Sequence, residues 1–77
     1  MDIKKAKRMY KAEMIKAQKQ DYKESINRIK RNISVEYIFV TIDFQSTIDQ
    51  LRVDGFVVEE VSNRYKRTYR VSGWAED

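Results

Sequence analysis

Residues 35–42 read Val-Glu-Tyr-Ile-Phe-Val-Thr-Ile. This run is almost entirely β-branched or aromatic and therefore predicts a strand. Both faces of the strand are apolar, because Tyr37 and Phe39 alternate with three aliphatic residues. We expect it to lie inside a sheet, or to carry a helix on one face and a partner on the other.

The residues that follow predict a short helix. Ser46-Thr47-Ile48-Asp49 has the pattern of a capping box, which opens a helix by pairing its first backbone N–H groups with side chains. Ile48 and Leu51 would then face inward. Gly55 is placed to end the helix in the left-handed region, with Phe56 packing back on Leu51.

The rest of the chain predicts a hairpin. Residues 56–61 and 65–72 alternate enough for two strands, and Ser62-Asn63-Arg64 provides the turn. Trp74, just beyond the last strand, is expected to close the edge of the core, whereas Phe44 is the aromatic residue that we expect to be most exposed.

The segment before the first strand predicts a long helix. Residues 2–31 contain neither Gly nor Pro and are rich in good helix formers, with Asp2 placed to cap the start. An apolar face is formed by residues three or four apart: Ile3, Ala6, Tyr10, Met14 and Ala17. Asp21 with Glu24 resembles a second capping pair, so the sequence allows either a bend near Gln20–Asp21 or one continuous helix.

These elements predict one α+β domain over residues 1–77. A basic helical segment, 1–32, packs on a three-stranded, mainly antiparallel sheet within a β-α-β-β body, 33–77. Residues 1–32 carry eleven Lys/Arg against four Asp/Glu, whereas residues 33–77 carry five against eight. Thirty helical residues would span roughly 45 Å, longer than that body can cover. We therefore expect part of the apolar helix face to meet another molecule or to fold back at residues 20–21.

Composition argues against an enzyme. The chain has no His and no Cys, which removes the commonest general base, the best nucleophile and the main zinc ligands. Five carboxylates are candidates for a metal site: Asp43, Asp49, Asp54, Glu59 and Glu60. Their spacing does not indicate that they converge on a metal. We expect no cofactor, no metal and no small-molecule substrate. No apolar run approaches the ~20 residues that cross a bilayer, so we expect a soluble intracellular protein.

The pattern Ile48-x-x-Leu51-x-x-x-Gly55-Phe56-x-Val58, followed by Tyr69-x-Val71-Ser72 and Trp74, resembles small uncharacterised bacteriophage and prophage proteins. In these proteins a charged helix precedes a strand–helix–hairpin unit. The chain departs from them at Asn32, where a glycine often separates helix and strand, and at Gly73. The resemblance implies a phage origin and hence a place in the host cytoplasm, and it carries no catalytic residues.

Three functions remain open from the sequence. The first is binding to a host or phage protein, with inhibition or another change of its activity, through Tyr10, Met14, Tyr22, Arg64, Tyr65 and Arg67. The second is nucleic-acid binding through Lys4, Lys5, Lys7, Arg8, Lys11, Lys66 and Arg70. The third is an oligomeric virion component that associates through the N-terminal helix.

Overall fold

The computed structural model describes residues 1–61 and 67–75. Its first element, α1, is one continuous α-helix from Ile3 to Arg31. Asp2 caps it as predicted, because the Asp2 Oδ1 accepts a 2.8 Å hydrogen bond from the backbone N–H of Lys5. The helix passes through Gln20–Asp21 without a break, so the alternative of a fold-back at these residues is wrong.

The remaining elements confirm the predicted α+β fold. They are β1 (Tyr37–Thr41), α2 (Gln45–Val53), β2 (Val57–Glu60) and β3 (Thr68–Ser72). The strands form one antiparallel sheet in the order β1-β3-β2, with Phe39 and Glu59 on either side of Arg70. The predicted turn at residues 62–64, the predicted start of the last strand at 65–66 and the acidic residues 76–77 lie outside the described residues.

The strand order corrects one expectation. The apolar run of β1 predicted a position inside the sheet as one of two alternatives, but β1 is at the edge of the sheet and β3 is central. Sequence alternation identifies which residues share a face, but it does not determine which strand becomes the middle one.

The core lies between the sheet and the two helices. Its buried apolar residues come from every element: Ile29, Ile38, Val40, Ile42, Ile48, Leu51, Val58, Tyr69 and Val71. α1 contacts α2 and β1, and α2 contacts β2. Ile48 and Leu51 face inward as predicted, because residues three apart lie on one side of a helix.

The end of α2 and the end of the sheet are closed as predicted. The backbone N–H of Phe56 donates to the Leu51 carbonyl at 3.0 Å and that of Gly55 to the Arg52 carbonyl at 3.1 Å, which is a Schellman motif. Gly55 has a φ of +102°, which favours glycine. Trp74 packs on the core, and its Nε1 donates a 2.6 Å hydrogen bond to the Val35 carbonyl.

The start of α2 differs from the predicted capping box. The helix begins two residues earlier than a Ser46 cap would place it, after Phe44, which is half-buried and provides no side-chain cap. The Ser46 hydroxyl donates to Gln18 on α1, and Asp49 accepts from the side chain of Gln45. The capping carboxylate belongs instead to Asp21 of α1, which accepts hydrogen bonds from the backbone N–H groups of Asp43 and Phe44.

Candidate interaction surfaces

The N-terminal half of α1 lies outside the packed body. In this helix, which the structure describes in full, no residue before Asp21 is buried. The molecule is 53 Å long but only 26 by 20 Å across, as expected when part of a helix of about 43 Å extends beyond the other elements. We call residues 3–17 the projecting half of α1.

One side of the projecting half is apolar. Ile3, Tyr10 and Met14 are spaced by seven and four residues, which aligns them on one face of a helix. Ile3 and Tyr10 are 69% and 65% exposed. Together with Ala6 these residues form what we call the apolar stripe, which includes a shallow groove lined by Ile3, Ala6, Lys7, Tyr10 and Lys11.

The apolar stripe continues the face by which α1 contacts the body. Asp21 follows Met14 by seven residues and Ser25 follows Asp21 by four, so the same spacing extends into the buried half of the helix. The stripe therefore lies on the side of α1 that faces the sheet, but it extends past the end of the sheet, where no residue that the structure describes covers it. A partner that occupied the space beside the sheet would bury Ile3 and Tyr10 without any change in α1.

Positive charge lies along one side of the stripe. Residues 1–17 contain six Lys/Arg against two Asp/Glu, a net charge of +4. Lys7 and Lys11 line the apolar groove on that side. Glu13, three residues after Tyr10, lies on the other side of the stripe and 3.6 Å from the ammonium of Lys16. The lysine side of the stripe favours an apolar partner surface with an acidic neighbour.

A second exposed surface is the side of the sheet that faces away from the helices, which we call the open sheet face. Tyr37 and Phe39 of β1 stand on it at 47% and 50% exposure. Their rings meet edge to face with centroids 5.5 Å apart. Val57 of β2 shares this face and is also exposed. Aromatic side chains exposed to this extent beside an aliphatic one are typical of a binding surface.

Arg70 lies at the centre of the open sheet face, on the middle strand. Its guanidinium carbon is 5.2 Å from the Tyr37 ring centroid, and its Nε is 3.9 Å from Glu59 Oε2. Within the described residues its Nε is shielded from solvent without a hydrogen-bond partner. The side chain is nevertheless 41% exposed. Arg and Tyr held together in this way are common anchors of protein interfaces.

The structure separates the residues predicted to bind protein. Tyr10 and Met14 belong to the apolar stripe. Tyr22 is half-buried and packs on the core, so it contributes less free surface than expected. Arg67 is exposed, and its Nη1 donates to the Asp43 carbonyl at 3.2 Å. Arg64 and Tyr65 lie outside the described residues.

The residues predicted to bind nucleic acid are separated too. Lys4, Lys5, Lys7, Arg8 and Lys11 are all exposed on the projecting half. Arg70 lies on the open sheet face, between Tyr37 and Glu59. Lys66 falls outside the described residues. The structure thus places one basic cluster on the helix and a single arginine, beside a carboxylate, on the sheet.

Tyr22 has a specific intramolecular role. Its hydroxyl donates to the carboxylate of Asp54, the residue that ends α2. This hydrogen bond, with smaller contributions from burial and from the Asp54 charge, raises the pKa of Tyr22 above its usual value. The same bond, assisted by the Gln50 amide, lowers the pKa of the Asp54 carboxyl. The pair ties the middle of α1 to the C-terminal end of α2.

Sequence reasoning missed the aromatic and arginine cluster of the open sheet face. Tyr37 and Phe39 were recognised as one face of a strand, but Phe44 was expected to be the exposed aromatic residue, and it is half-buried. The link to Arg70 depends on the pairing of β1 with β3, which joins positions more than thirty residues apart. The alternation of Tyr37 and Phe39 was the available signal.

In the part of the chain that the structure describes, no three His, Cys, Asp or Glu side chains come together as a metal site. Among the same residues, neither helix has the length and apolar content needed to cross a membrane.

No protein-family model, curated protein or solved structure matches the chain. The functional interpretation therefore depends on the two surfaces themselves.

Proposed function

We propose that this protein is a non-enzymatic interaction module that binds another protein through the projecting half of α1. The observation that supports this proposal is the apolar stripe, whose Ile3 and Tyr10 are largely exposed although they continue the buried face of the same helix. Exposed apolar side chains gathered on one helix face are a common means of binding a groove in a partner.

The proposal extends to the setting that the phage resemblance implies. In that setting the partner is a host protein in the host cytoplasm, and binding alters or inhibits its activity. The lysines beside the stripe favour a partner with an acidic border around an apolar groove, since opposite charges speed association and select against wrong partners.

The test compares two glutamate variants on the same helix. Tyr10→Glu places a charge on the stripe, whereas Met9→Glu makes the same charge change on another side of the projecting half. The wild-type protein and Met9→Glu should retain a stoichiometric partner from host lysate at moderate salt, and Tyr10→Glu should lose it. Recovery of no such partner, or equal loss with both variants, would contradict the proposal.

Nucleic-acid binding is the second candidate, and the exposed lysines of the projecting half support it. Replacing Lys4, Lys5, Lys7 and Arg8 together would then weaken binding at all sequences, and affinity would fall steeply with salt. Lysine contacts are general rather than base-specific. Absence of any DNA or RNA complex at low salt would exclude this function.

A further inference from the structure

The chain carries two exposed surfaces that are complementary in character. The apolar stripe is bordered by Lys7 and Lys11. The open sheet face presents Tyr37, Phe39 and Val57, and the positive charge of Arg70 at its centre is opposed by Glu59. Residues 33–77 carry five Lys/Arg against eight Asp/Glu, whereas residues 1–17 carry six against two. A basic apolar helix and an aromatic surface on a net acidic body match each other in both hydrophobicity and charge.

The two surfaces also match in size. Met14 follows Ile3 by eleven residues, so the stripe is about 17 Å long. A five-residue strand is about 17 Å long, and the outer strands of a three-stranded sheet are roughly 10 Å apart. The stripe is therefore long enough to run along a strand or to cross all three strands of the open sheet face.

Their orientations allow both contacts to form at once between two copies. The stripe is on the sheet-facing side of α1, because it shares a helix face with the buried residues Asp21 and Ser25. The open sheet face looks away from the helices of its own chain. If a second copy is turned over and placed beside the first, each stripe meets the other copy's open sheet face. This arrangement has twofold symmetry and is closed, so it ends at a dimer.

Charge disfavours the simpler way of joining two copies through α1. Pairing the stripes directly would bring two segments of net charge +4 side by side. Lys7 and Lys11 of each helix would then border the same narrow interface, and like charges in such contacts are destabilising. A helix-on-sheet contact places the lysines instead on a net acidic body, on a face where the charge of Arg70 is opposed by Glu59.

We propose that two copies of this chain form a reciprocal dimer in which the apolar stripe of each lies on the open sheet face of the other. The inference rests on the proposed function, since it uses the same stripe, and it names a second copy as the partner that covers the stripe when no foreign protein is bound. A foreign partner would compete with the second copy for Ile3 and Tyr10.

The test is the self-association of the full chain, measured by sedimentation equilibrium over a range of concentrations. The wild-type protein and Met9→Glu should dimerise with equal affinity. Tyr10→Glu and Phe39→Glu should each weaken dimerisation by about 30-fold or more, which is the effect of losing an interface anchor. Both replaced side chains are exposed, so we expect the variants to fold, and circular dichroism checks this. Tyr10→Ser or Phe39→Ser replaces a glutamate variant that does not fold.

Mixing the two weakened variants distinguishes the reciprocal dimer from other dimers. A mixture of Tyr10→Glu and Phe39→Glu should form heterodimers more tightly than either variant pairs with itself. One contact is then intact, between the helix of the Phe39→Glu chain and the sheet of the Tyr10→Glu chain. A dimer insensitive to Phe39→Glu would be helix-on-helix, and one insensitive to Tyr10→Glu would be sheet-on-sheet; either result overturns the inference.

Failure of the inference is distinguishable from failure of the proposed function. A wild-type chain that stays monomeric up to about 1 mM overturns the reciprocal dimer. If that monomer still binds a foreign protein in a Tyr10-dependent way, the proposed function stands. If the reciprocal dimer forms but binds no foreign protein, the inference stands and the proposed function fails.

Discussion

The hydroxyl of Thr47 donates a 2.7 Å hydrogen bond to Oδ2 of Asp21, and both residues are buried. The same carboxylate accepts the backbone N–H of Phe44 at 3.2 Å and that of Asp43 at 3.4 Å. These groups lie at the start of α2, whose N-cap residue, Phe44, provides no side-chain acceptor. A carboxylate from α1 therefore caps α2, and its charge lies at the positive end of that helix.

Replacing Asp21 by Ala should destabilise the fold by about 2–3 kcal/mol, because it leaves the Thr47 hydroxyl and two backbone N–H groups without this acceptor in a partly or fully buried place. The free energy of unfolding, measured by urea denaturation at neutral pH, gives the effect. Asp21→Asn keeps one acceptor oxygen and should cost less.

Asp49→Ala is the matched control, since Asp49 is the acidic residue of the sequence-predicted capping box. Asp49 is exposed and accepts only from the Gln45 side chain among the described residues. Its replacement should change the unfolding free energy by no more than about 0.5 kcal/mol. If Asp49→Ala proved more destabilising than Asp21→Ala, the assignment of the cap to Asp21 would be wrong.

Asp21 shows what the sequence could and could not predict. The helices, the three strands and the Schellman end at Gly55 follow from local patterns, and all are present. Asp21 also looked like a capping residue from its local pattern, but the helix that it caps begins more than twenty residues later. The same limit applies to Arg70, since its contact with Tyr37 depends on strand order. Local spacing predicts the elements, whereas the contacts that join distant elements require the tertiary arrangement.

The two glycines should be about equally intolerant of a side chain. Both have positive φ, +102° at Gly55 and +116° at Gly73, which favours glycine. A Cβ at Gly55 meets nothing within 4 Å, and a Cβ at Gly73 would lie 3.4 Å from the backbone N of Val57, an ordinary van der Waals contact. Gly55→Ala and Gly73→Ala should therefore each cost the backbone strain of about 1–2 kcal/mol. Urea denaturation of both variants tests this, and a loss at only one of the two positions would contradict it.

The hydrogen bond between Tyr22 and Asp54 should make stability depend on pH at both extremes. The pKa of Tyr22 is raised in the folded state, so its stabilisation is fully present below about pH 10 and is lost as pH rises through the raised value. The pKa of Asp54 is lowered, so its stabilisation is present above about pH 4 and is lost as pH falls through the lowered value.

Tyr22→Phe removes the shared hydrogen bond and should flatten both dependences relative to the wild type. Asp54 keeps its hydrogen bond from Gln50, so some acid dependence remains. The measurement is the urea midpoint from about pH 3 to about pH 11, and the difference between the two proteins removes the effect of other titrating groups. Tyr10→Phe is the control, since Tyr10 is exposed on the projecting half. Identical profiles for the wild type and Tyr22→Phe would show that the bond contributes nothing in solution.

Amide hydrogen exchange should divide α1 into two parts when the chain is monomeric. Helices of fewer than about 12–15 residues are marginal alone, and the projecting half has no buried residue to hold it. In Tyr10→Glu, at a concentration where sedimentation shows a monomer, amides of residues 7–17 should exchange at least about 100-fold faster than those of residues 24–30, which follow the buried Asp21. At concentrations where the wild type dimerises, the exchange rates of the two parts should become similar, because docking on a second sheet would protect the stripe. Uniformly strong protection in Tyr10→Glu would mean that the projecting half is stable without a partner, and exposure of the stripe would then no longer imply that it must be covered.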